Sequence, residues 1–66
     1  MSFVSGYSIT RLMQSNKTTI LELAARMGVT QKRVRAVRAS GVNSYIVYCD
    51  WHQAITGINI YEGLGS

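Results

Sequence analysis

The sequence contains no proline, and its single cysteine, Cys49, excludes a disulfide within the chain. Without proline, no fixed φ and no missing N–H interrupts a helix, so glycine is the only strong punctuation. Without a cysteine pair, nothing calls for an oxidising compartment. Acidic residues are scarce as well: Asp and Glu total 3 against 7 Lys and Arg, for a formal net charge of +4. One of the three, Glu22, is read below as a helix cap, so no carboxylate pair for acid–base chemistry can be assembled and an enzyme is not expected. No stretch approaches the ~18 consecutive apolar residues of a membrane span. Met1 to Gly6 also lack the basic start and apolar run of a secretory leader, so a cytoplasmic protein without a membrane partner is the expectation.

What is present is a composition 47% hydrophobic and 15% charged, rich enough in apolar side chains to build a core. A chain of 66 residues holds one domain, here taken as residues 1–66. At this size folding buries only ~60% of the surface of the unfolded chain, so a partner subunit would add stability and a homodimer is expected. The positive charge is concentrated: Lys32, Arg33, Arg35 and Arg38 carry four of the seven cations within seven residues. Such a cluster suits a polyanionic partner.

Local pattern divides the chain at its glycines. Between Gly6 and Asn16, Ile9, Leu12 and Met13 recur at i, i+3, i+4, which predicts a short helix with Ser8 as N-cap. Thr19 and Glu22 form a capping box, in which hydroxyl and carboxylate each satisfy a free backbone N–H at a helix start. Ile20, Leu23, Ala24 and Met27 then supply a core stripe about two turns long, and Gly28 stands where a left-handed residue ends the helix. Val29 and Thr30 lead into a third helix, with Thr30 as N-cap, Val34 and Val37 inward, and Gly41 as the stop.

After Gly41 the runs Tyr45 to Cys49 and Ile58 to Tyr61 are β-branched and aromatic, which favours strands in a hairpin or ribbon. Between them, Asp50 with Gln53 three residues on, followed by Gly57, reads as one helical turn, with continuous strand as the alternative. The expected fold is therefore mainly α with a small β element (α+β): three short helices followed by a C-terminal β-hairpin or ribbon. Three uses of the C-terminal segment stay open. It can cover the core, supply a dimer surface through Tyr45, Val47, Ile58 and Ile60, or form a wing that touches the polyanion, the last weakened by a tip that carries Asp50 and no cation.

Ala24 is small where two helices nearly touch, Gly28 can take positive φ at the turn, and Leu23, Met27, Val29, Val34 and Val37 occupy the apolar positions that lock two helices together. On these residues the segment Thr19 to Ala39, about a third of the chain, resembles the helix-turn-helix of bacterial and phage transcription regulators. The resemblance implies a double-stranded DNA partner, with Gln31 to Ala39 as the helix that enters the major groove. It implies that Gln31, Lys32 and Arg35 read base edges, Gln31 pairing with adenine and Lys32 or Arg35 with guanine. Thr30, Arg33 and Arg38 are then the phosphate contacts.

The function implied is that of a small transcriptional repressor of a mobile element, with an excisionase-like architectural factor as a close relative. A module that docks on a protein through Tyr45, Tyr48, Trp51 and Tyr61 is the alternative from another class. Cys49 and His52 supply at most half a zinc site, so no metal is expected, and no cofactor or small-molecule ligand is indicated. Trp51 is read as a packing anchor.

Overall fold

The computed structural model describes residues 4–60, which form four helices: α1 (Gly6–Ser15), α2 (Ile20–Met27), α3 (Gln31–Ser40) and α4 (Tyr45–Thr56). α3 and α4 each pack against both α1 and α2, around a core of Ile9, Met13, Leu23, Ala24, Val34, Val37, Val42, Trp51 and Ile55. Ile9, Leu23 and Val34 are fully buried. Each such side chain contributes about 1.5–3 kcal/mol by leaving water.

The N-cap of α1 lies three residues before the Ser8 expected from sequence: it is Ser5, its hydroxyl accepting from Ser8 N–H at 3.4 Å. Gly6 is therefore no break. A Cβ placed on Gly6 would lie 2.1 Å from the Arg38 carbonyl oxygen, so glycine is needed where the start of α1 crosses the end of α3. Beside this crossing Val4 and Val42 exchange two backbone hydrogen bonds of 2.9 Å, an isolated antiparallel bridge. Gly41 beside it has φ +81° and ψ −166°, a conformation open essentially to glycine alone.

α2 is closed at its N-terminus by the capping box. Thr19 N–H donates to the Glu22 carboxylate at 3.0 Å, and Glu22 N–H donates to Thr19 Oγ1 at 3.1 Å. The backbone hydrogen bond from Thr19, helped by the Thr19 side chain and by Arg26, holds the Glu22 carboxyl below the usual glutamate range. Gly28, left-handed at φ +68°, ends the helix, and Val29 N–H returns to the Ala24 carbonyl at 3.0 Å.

The C-terminal part corrects the sequence-based expectation. Tyr45 to Cys49 and Asp50 to Thr56 form one continuous helix, α4, and the described residues contain no strand or sheet. The fold over these residues is all-helical with four helices, in place of three helices and a β-hairpin. The propensity penalty for β-branched and aromatic residues in a helix is at most ~0.7 kcal/mol each. Packing Val47, Tyr48, Trp51, Ala54 and Ile55 against the core outweighs it, because these five residues fall on one side of a helix but would divide between the two faces of a strand. Ser44 starts the helix, accepting from Val47 N–H at 3.1 Å, and Asp50, expected as a cap, sits inside it. Gly57, at φ +81°, is the left-handed stop.

Beyond Gly57 the chain turns back along α4. Ile58 N–H donates to Thr56 Oγ1 at 3.1 Å, His52 Nδ1 donates to the Ile58 carbonyl at 3.0 Å, and the Tyr45 hydroxyl donates to the Ile60 carbonyl at 3.5 Å. Ile58 to Ile60 are thus held as a non-strand segment, and Tyr61 lies outside the described residues. No helix of the described residues is long and apolar enough to cross a membrane.

Candidate nucleic-acid interface

The exposed side of α3 is built from its own sequence period. Val34 and Val37 are buried, so the helix is anchored along that line and everything about 180° away must face water. Lys32, Arg35, Ala36 and Ala39 occupy this outward side and are all exposed, as is Gln31. At about 100° per residue, Gln31, Arg35 and Lys32 fall within an arc of about 100°, so the three residues expected to read bases share one face. The two alanines leave the backbone of that face open to close approach.

Thr30 caps α3, its Oγ1 accepting from Arg33 N–H at 3.1 Å. The first turn of α3 carries no acidic residue, so the positive end of the helix dipole is not neutralised within the helix. α2 differs, because its start is occupied by the Glu22 carboxylate. An anion approaching this pair of helices therefore meets a free cationic end at α3 and a filled one at α2.

The expected phosphate residues Arg33 and Arg38 do not lie together. Five residues apart, they are separated by about 140° around the helix. Arg33 is exposed and borders an open hollow of about 440 Å³ shared with Ala36 and Asn43. Arg38 is half-buried on the other side, where its Nε donates to Thr10 Oγ1 of α1 at 3.3 Å. It borders a second hollow, of about 550 Å³, together with Lys17 and Thr19.

Sequence reasoning passed over Lys17. It sits in the turn between α1 and α2 at φ +53°, the one non-glycine residue with positive φ among the described residues. No local pattern pairs it with Arg38, since 21 residues separate them and only the packing of α1 on α3 joins them at one hollow.

The residues weighed for other chemistry are placed as follows. Cys49 is buried, and Asp50 is exposed. His52 is engaged by Thr56 and Ile58, and the described residues contain no group of three metal-ligating side chains. Of the four aromatics considered as protein-docking anchors, Trp51 is in the core and Tyr48 is half-buried, which leaves Tyr45 exposed. Tyr61 lies outside the described residues. Comparison of the chain with protein-family models, with curated proteins and with solved structures gave no match.

Proposed function

We propose that this chain binds double-stranded DNA in a sequence-dependent manner, with α3 in the major groove, and acts as a small transcriptional repressor of a mobile element. The observation that carries the proposal is the outward side of α3. Gln31, Lys32 and Arg35 are exposed on one face beside two alanines, in a helix that holds no acidic residue. A helix serving only as core cover gains nothing from four cations within seven residues, whose mutual repulsion is relieved by a polyanion.

In this reading Gln31 pairs with adenine and Lys32 or Arg35 with guanine, while Thr30, Arg33 and Arg38 hold phosphates. Repression follows from occupancy of the site. A homodimer on a two-fold symmetric site extends the reading, since one recognition helix covers only a few base pairs.

The test is selection of preferred duplexes from a random pool, followed by fluorescence anisotropy on the best duplex and on a scrambled one. Wild-type protein is expected to prefer the selected duplex, and Lys32→Ala with Arg35→Ala to lose at least about thirtyfold of that preference, the low end of two base contacts of ~1–3 kcal/mol each. Absence of duplex binding even at low salt, or an unchanged preference in the double variant, overturns the assignment of α3.

A further inference from the structure

The two hollows on opposite flanks of α3 carry an inference that rests on the DNA-binding reading and deepens it. With Val34 and Val37 marking the inward direction, one flank of α3 holds Gln31 and Arg38 and the other holds Arg33 and Ser40. An α-helix with its side chains is about 10–12 Å across, and the major groove is about 12 Å wide. A helix seated there fills the groove from wall to wall, and each flank faces a different strand of the duplex.

We infer that Lys17 is a phosphate-binding residue, which with Arg38 holds the backbone of one DNA strand while Arg33 holds the other. Two observations converge on it. Lys17 and Arg38 border the same open hollow although they come from different parts of the chain. Arg38 is held on this flank by the hydrogen bond from its Nε to Thr10 Oγ1, and Lys17 is exposed. The Glu22 carboxylate is engaged by Thr19, which borders the same hollow, so the two cations face one carboxylate there and the net charge stays positive. The occupant is a backbone phosphate of the same duplex whose bases α3 reads. A free phosphate or an acidic peptide would engage one flank at a time and would not require both.

The experiment uses the whole chain with Lys17→Asn and Arg33→Gln, singly and together. Asn is chosen because it tolerates the left-handed conformation at position 17, and a thermal melt confirms that both variants fold. Affinity for one duplex is measured across salt concentrations, and ethylation interference maps the phosphates contacted on each strand. Each substitution is expected to flatten the salt slope by about 0.9 and the pair by about 1.8, with sequence preference unchanged. Lys17→Asn should remove interference at one phosphate of one strand while the Arg38 contact on that strand persists, and Arg33→Gln should remove interference on the other strand.

A wild-type protein that binds duplex while Lys17→Asn keeps the full slope overturns the role of Lys17 and leaves the reading of α3 standing. Loss of interference on the same strand in both variants overturns the two-sided grip. Absence of duplex binding by the wild type removes both.

Discussion

Among the described residues three glycines share a positive φ but not the space around them, and that contrast gives a quantitative prediction. Gly28 (φ +68°) and Gly57 (φ +81°) have nothing within 4 Å of where a Cβ would stand. Gly41 has the same φ as Gly57, but its Cβ would fall 2.1 Å from the Val4 carbonyl oxygen and 2.9 Å from the Gly6 nitrogen. Gly28→Ala is expected to cost about 1–2 kcal/mol, the penalty of a left-handed conformation for an L-residue.

Gly41→Ala adds to that a more restricted conformation and the displacement of Val4. The displacement breaks the two 2.9 Å bonds between Val4 and Val42. With ~1–3 kcal/mol for the backbone and ~0.5–1.5 kcal/mol per hydrogen bond, the loss is about 2–6 kcal/mol. A domain of this length has ~3–10 kcal/mol of stability in all, so the variant loses a large share of it. The assay is urea unfolding followed by circular dichroism on wild type and on all three Gly→Ala variants. Gly41→Ala should unfold well below the other two or be unfolded without urea, and Gly28→Ala should resemble Gly57→Ala. Equal shifts at the three positions would refute the argument that close approach of Val4 decides the residue at 41. The consequence reaches the proposed interface, because the Val4–Val42 bridge secures the end of α3 against the start of α1.

Two further outcomes follow from α2. Glu22 is held in its charged form by the Thr19 backbone N–H first and the Thr19 hydroxyl second. A carboxyl with a lowered pKa contributes stability that is present above its unfolded value and lost as pH falls through its folded value. Acidification below the ordinary glutamate range should therefore destabilise the wild type more than Glu22→Gln, checked by thermal melts from neutral to acid pH. Leu23 is fully buried and Leu21 is 64% exposed two residues away. Leu23→Ala should cost about 2–5 kcal/mol in chemical denaturation and Leu21→Ala less than about 0.5 kcal/mol.

The parts of the fold that were legible in the sequence are those whose signals are local. A capping box spans four residues, a left-handed glycine announces itself at the end of an apolar stripe, and Val34 and Val37 mark the inward side of α3 within four residues of each other. The segment after Gly41 misled for the same reason. Its local texture was read by propensity, whereas its helical state depends on Trp51 and Ile55 finding the core made by α1, α2 and α3. Gly6 misled in the opposite sense: it looked like punctuation, and its role is to let two helices touch.

The candidate site divides in the same way. That Gln31, Lys32 and Arg35 share one face follows from the helical period and the two valines alone. That Lys17 and Arg38 border one hollow, while Arg33 borders another, follows from how α1 and α4 are laid against their neighbours. The sequence by itself determined the start and stop of α2 and α3 and the outward face of α3, because short-range hydrogen bonding and a 3.6-residue period decide these within a few residues. The tertiary structure decided the helical state of α4, the need for glycine at positions 6 and 41, and the pairing of Lys17 with Arg38. Each of these depends on contacts between residues far apart in the chain, which a local pattern does not encode.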